Sequence, residues 1–170
     1  QGDIHFVLNA EPDSFGERFG RLHGPSICAL AFRVRDAAAA YRRALELGAR
    51  GIESRCGPME LNLPAIEGVG DSLIYLVDRY GSRGTIYDVD FVPIEATAES
   101  RAGVGLSVVD HLTHNLHRGH LEEWVEFYSR LFGFREIRRF DIRGQYTGLH
   151  SKALCSPCGK IRIPLNESSD

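Results

Sequence analysis

Four histidines, His111, His114, His117 and His120, recur at every third position of this chain. Imidazole ligates metals and titrates near neutrality, so such a run raises metal binding or proton transfer as its chemistry. On a helix this spacing would bring neighbouring rings together. The flanking residues predict otherwise. Val108, Val109 and Thr113 favour a strand over Val108 to Asn115, in which alternate side chains share a face. His111, Thr113 and Asn115 then point one way, and Asp110, Leu112 and His114 the other. In this reading His111 and His114 do not share a metal. His117 and His120 flank Arg118-Gly119 and read as solvated loop residues. His111 is left as a single candidate ligand, and a lone histidine more often has a structural role. Cys155-x-x-Cys158 has the spacing of half a zinc site. No second pair stands at suitable spacing, and Ser156-Pro157-Cys158-Gly159 has hairpin-turn composition. Free thiols are the simpler reading for this pair, and for Cys28 and Cys56.

The elements that must position these residues form a repeat. In the first half, Ile27 to Val34 is an apolar strand. Asp36 caps a helix with Ala37, Ala40, Tyr41, Ala44 and Leu47 at helical spacing, and Gly48 ends it. Strands are expected near Ile52, over Met59 to Leu63, over Ser72 to Val77 and over Thr85 to Val92. In the second half, the strand around His111 is followed by a helix carrying Leu121, Trp124, Val125, Tyr128, Leu131 and Phe132 on one face. Gly133 ends that helix. Strands at Phe134 to Ile142, Tyr146 to Leu154 and Lys160 to Leu165 follow. Both halves therefore read β-α-β-β-β, an α+β chain of repeated modules with mixed sheets and helices packed on one face. Residues 1–94 form the first domain portion, 106–170 the first module of a second domain, and 95–105, rich in Ala, Ser, Gly and Glu, a linker.

Composition narrows the functional classes. A formal charge of −3 argues against nucleic acid as the main partner. No apolar run approaches the roughly 20 residues that span a bilayer. Four cysteines in 170 residues do not make a disulfide scaffold and suit a reducing cytoplasm. The chain opens inside an apolar segment, Asp3 to Leu8, read as a strand, which raises the expectation of residues upstream. No Ser/His/Asp triad or phosphate-cradling loop competes with the histidine segment.

Several motifs carry a family resemblance. They are Asp110 to Asn115, Phe127-Tyr128-x-x-Leu131-Phe132-x-Phe134-Arg135-Glu136, Phe140-Asp141-Ile142-x-Gly144-x-Tyr146-Thr147-Gly148-Leu149, Ser151-Lys152-Ala153 and Ile161 to Glu167. The first half adds His23-Gly24-Pro25, Gly57 to Ile66 and Tyr75 to Tyr80. With these the chain resembles the bacterial 4-hydroxyphenylpyruvate dioxygenase family, of the vicinal-oxygen-chelate superfamily, whose unit is the βαβββ module. The resemblance covers nearly the whole chain.

The resemblance implies conversion of 4-hydroxyphenylpyruvate and O₂ to homogentisate and CO₂ in tyrosine catabolism. It implies a non-haem Fe(II) held by two histidines and one glutamate, a set that leaves positions open for substrate and O₂. His111 matches the first histidine. The other two ligands belong to a later module, so this portion alone is expected to be inactive. Glu167 is the nearest late carboxylate and does not match the ligand position. Ser151 and Asn166 match substrate-wall positions. The first module has Ala29, Leu30 and Ala31 near the equivalent place and reads as structural. Cys155 and Cys158 depart from the family pattern. A homo-oligomer is also implied. Two alternatives stay open: a stand-alone, metal-free binding module of the same superfamily, and the related 4-hydroxymandelate synthase.

Overall fold

The computed structural model describes residues 4–53, 60–95, 104–144 and 148–169. The chain forms two compact units that divide between Ser107 and Val108.

In the first unit, Ser14 accepts a hydrogen bond from Glu17 N at 3.2 Å and opens helix α1, Phe15–His23. Strand β1 is Ala29–Arg33 and helix α2 is Ala37–Glu46. Asp36 caps α2 by accepting from Ala39 N at 2.8 Å. Gly48, at φ +87°, takes the left-handed turn that ends the helix, a conformation glycine adopts without strain. Strands β2 (Gly51–Ile52), β3 (Ala65–Glu67) and β4 (Leu73–Val77) complete the sheet in the order β1-β4-β3-β2. β1 and β4 are parallel and the other pairs antiparallel. Ile66, Ile74 and Leu76 are fully buried and form its core. A short helix α3, Tyr87–Asp90, follows.

Three expectations for this unit fail, each for a local reason. No strand forms at Glu60 to Leu63 (Met59 lies outside the described residues); the ladder begins at Ala65, just after Pro64, which has no N–H to give. Thr85 to Val92 is not a strand. The Asp88 carboxylate accepts from Thr85 N at 2.6 Å and from Thr85 Oγ1 at 2.9 Å, a local closure that displaces a ladder. Residues 4–10 form no strand: Ile4 is buried, but Phe6 and Leu8 are exposed and no described strand pairs with them. The helix α1 had no counterpart in the expected elements.

In the second unit, strand β5 is His114–Leu116, helix α4 Leu121–Phe132, and strands β6 to β8 are Arg135–Arg143, Gly148–Cys155 and Arg162–Ser168. Gly133, at φ +69°, closes α4 through its N–H to Ser129 O at 2.9 Å. The sheet order is β5-β8-β7-β6, with β5 parallel to β8. Both units thus share one strand order with a parallel outer pair, and each contains the expected βαβββ path. The Ser156 to Gly159 turn joins β7 to β8, with Gly159 N–H donating to Ser156 O. Tyr128 of α4 is fully buried with Leu154, Ile163 and Leu165, and Phe134 closes the cluster. This seals one face of the sheet. Among the described residues no helix is long and apolar enough to cross a membrane.

The sealed face should carry the unit's stability. Leu154→Ala is expected to cost about 2–5 kcal/mol through the cavity it leaves. Asn115→Ala, on the opposite face, should stay within about 0.5 kcal/mol. Urea unfolding midpoints of the two variants check this contrast.

Candidate metal and substrate site

The segment leading into β5 keeps strand alternation without a full ladder. His111, Thr113 and Asn115 are exposed, while Leu112, His114 and Leu116 are half-buried. Regular pairing nonetheless starts only at His114, six residues later than expected. Leu112 N–H donates to Arg162 O at 3.2 Å. Pro164, two residues along β8, therefore turns the same edge toward this segment and has no N–H to return. The ladder is interrupted where His111 stands.

His111 is half-exposed, and its Nδ1 lies 2.6 Å from Asp110 Oδ2. Asp110 is fixed from its other oxygen by Arg162 Nη1 at 2.9 Å. The hydrogen bond from His111, aided by the Arg162 charge, holds the Asp110 carboxyl below the usual carboxylate range. An ionised carboxylate only accepts, so Nδ1 carries the hydrogen. In the neutral ring the lone pair is then on Nε2, the tautomer a metal ligand needs, with a carboxylate orienting the ring. Among the described residues no group of three or more His, Cys, Asp or Glu side chains could hold a metal ion.

Ser151 and Asn166 face each other directly across the β7–β8 ladder. The same row continues to Phe140 on β6 and Asn115 on β5. The flanking residues Lys152, Leu154 and Leu165 are buried against α4, so the pleat turns this row to the opposite face. By the alternation of its segment, His111 shares that face with Asn115. Ser151 is only 6% exposed, yet its hydroxyl has no hydrogen bond to any described residue. No buried side-chain oxygen or nitrogen among the described residues lacks a partner, so this hydroxyl is itself accessible and can bond water or a ligand. The expected site residues are therefore brought onto one face.

The remaining histidines divide differently. His114 turns inward, its Nε2 2.9 Å from the Tyr128 hydroxyl, with the two rings stacked. Burial pushes the His114 pKa down to about 4 and raises that of Tyr128. His117 is exposed, as expected. His120 is not simply a solvated loop residue: its N–H donates to Glu167 Oε1 at 2.8 Å and its Nδ1 to Glu123 Oε2 at 2.7 Å. Glu167 thereby belongs to the α4 side of the sheet, away from His111.

A cleft of about 310 Å³ opens beside α4, lined in part by Glu122, Arg139, His150, Lys152 and Glu167, with Ser151 also on its wall. Its charges answer one another. Buried Lys152 donates to Glu122 Oε2 at 2.7 Å and lies 3.4 Å from Glu136, and His150 Nδ1 donates to Asp141 at 2.6 Å. Sequence reasoning missed this network, because the pairing of Glu122 on α4 with Lys152 on β7 depends on tertiary packing. Cys155 is half-buried and Cys158 exposed, both free; Cys56 lies outside the described residues. The Ser156 hydroxyl beside Cys158 lowers that thiol's pKa, helped by the backbone N–H of Lys160.

Residues 1–92 match the family model of the hydroxyphenylpyruvate dioxygenase N-terminal domain. Residues 108–170 match the glyoxalase, bleomycin resistance protein and dioxygenase superfamily. A 4-hydroxyphenylpyruvate dioxygenase from Pseudomonas sp. (strain P.J. 874) is 56% identical over 99% of this chain and 47% of its own length. The chain thus spans about half of that relative. Among solved structures, a xylose isomerase-like TIM barrel/4-hydroxyphenylpyruvate dioxygenase fusion protein matches 100% of this chain and 25% of its own, at 42% identity and TM-score 0.76. A mutant 4-hydroxymandelate synthase from Streptomyces coelicolor matches 95% of this chain and 46% of its own, at TM-score 0.74. Its 23% identity speaks for the fold alone.

The buried His114 gives a pH signature. The folded chain keeps it neutral down to about pH 4, whereas an unfolded chain takes up the proton near the ordinary histidine value of 6.5. Its contribution is complete above about pH 6.5 and is lost as pH falls toward 4, at no more than about 1.4 kcal/mol per unit. Urea midpoints measured between pH 7 and 4.5 should show this loss. His114→Leu should flatten that part of the profile.

Proposed function

The chain belongs to the hydroxyphenylpyruvate dioxygenase family, and on that premise we propose that it supplies part of the site converting 4-hydroxyphenylpyruvate and O₂ to homogentisate and CO₂. The single observation that carries this reading is His111, held by Asp110 with Nε2 free on an exposed face. Its role is to ligate Fe(II) together with groups outside the described residues. When bound, such an ion supplies chelation of a 2-oxo acid and O₂ chemistry.

The chain's own contribution is positional. Asp110 sets the His111 tautomer, and Arg162 holds Asp110 in place. Ser151 and Asn166 hydrogen-bond polar groups of the substrate from the neighbouring row. Phe140, on the same row and 41% exposed, supplies apolar contact that excludes water from the ring. Residues 1–94 act as a supporting domain, joined through 95–105 to the site-bearing residues 106–170. The protein works in the cytoplasm as a homo-oligomer.

A second reading has its own observation. With no complete ligand group among the described residues, the chain also suits a metal-free binding module. The two separate cleanly in the gene product that carries this chain, loaded with Fe(II) under reducing conditions. Dioxygenase function predicts homogentisate from 4-hydroxyphenylpyruvate and one bound iron per chain. His111→Ala should remove both, and Asp110→Ala should weaken iron binding about 10–100-fold. Stoichiometric substrate binding with neither iron nor product would favour the module. Hydroxymandelate as product would identify side-chain rather than ring chemistry.

A further inference from the structure

The row that holds Ser151 and Asn166 contains a third polar side chain. Asn115 is the register partner of Asn166 on β5, on the same face, exposed and without a side-chain hydrogen bond to any described residue. Neighbouring strands stand ~4.8 Å apart, so Asn115, Asn166 and Ser151 form a polar line ~10 Å long, and Phe140 extends it. His111 lies four residues before Asn115, ~13 Å along an extended chain. The polar line is thus at the far end of the face from the candidate metal ligand.

We propose that Asn115 is a specificity-determining residue that, with Asn166 and Ser151, receives a polar substituent at the ring end of an aromatic 2-oxo acid. This deepens the reading under "Proposed function" and rests on it. An acid whose 2-oxo end lies by His111 extends along the face, and its para position meets the polar line. A phenol hydroxyl donates one hydrogen bond and accepts up to two. Two carboxamides and a hydroxyl supply the matching donors and acceptors. A bare ring would offer these groups no partner, and sites built on such bonds reject the analogue lacking the hydroxyl. Asn115 differs from Ser151 in being exposed, so its replacement does not disturb a packed neighbour.

The test compares 4-hydroxyphenylpyruvate with phenylpyruvate in the Fe(II)-loaded gene product that carries this chain. Unsubstituted protein, Asn115→Ala and the near-isosteric Asn115→Leu are measured for kcat/KM, and for Kd in the absence of O₂, which no turnover enters. The proposal predicts that both variants lose preference for the hydroxylated substrate by about 10-fold, in KM and in Kd. Values for phenylpyruvate should move less than about 2-fold, with unchanged thermal unfolding. An unchanged preference, or equal losses on both compounds, would overturn it. If the unsubstituted protein turns over neither compound, the functional reading itself falls, which distinguishes that failure from this one.

Discussion

Burial of Tyr128 with Leu154, Ile163 and Leu165 decides which side of the second sheet is core. Strand side chains alternate with period two, so a one-residue slip of β7 or β8 would exchange the two faces completely. The apolar contact with α4 forbids that slip. Gly133 fixes where α4 ends, so that Phe134 reaches the cluster from the far side. With the register held, Ser151, Asn166, Asn115 and Phe140 have no alternative but to line the other face. The placement of these side chains is a consequence of core packing rather than of loop geometry.

The same constraint gives two histidines three residues apart opposite fates. His114 turns into the core, loses its hydration and stays neutral against Tyr128. His111 turns outward where Pro164 has interrupted the ladder, and finds a carboxylate instead of a buried ring. The Asp110–Arg162 pair is surface-exposed and contributes little to stability. Its importance is directional: it keeps an acceptor opposite Nδ1 and so leaves Nε2 for another bond. By contrast, the α4-side cleft is richer in charge but internally paired, which leaves it less to offer a ligand.

Much of this was legible in the residues. Asp36 and Gly48 mark α2, and the apolar spacing from Leu121 to Phe132 marks α4. The alternation from Asp110 to Asn115 separates His111 from His114 in the sequence itself. Other features depended on pairing that no local pattern reveals. Pro64 and Pro164 were visible, but which edge each would face was not. The Asp88–Thr85 closure overrode an alternating segment that read as a strand. Ser14-x-x-Glu17 is a helix-start signature that could have revealed α1. The polar row of the site depends on the register of three strands, and the His111 tautomer on the position of Asp110. Neither follows from spacing alone.

The proposed metal contact is His111, on the face opposite α4. Paramagnetic broadening by Mn(II) of histidine ring signals, in the gene product that carries the chain, reads this directly. The account predicts strong, saturable broadening of His111, with His114, His120 and His150 much less affected. Selective broadening of His150 or His120, with His111 spared, would place the metal on the α4 side and contradict it.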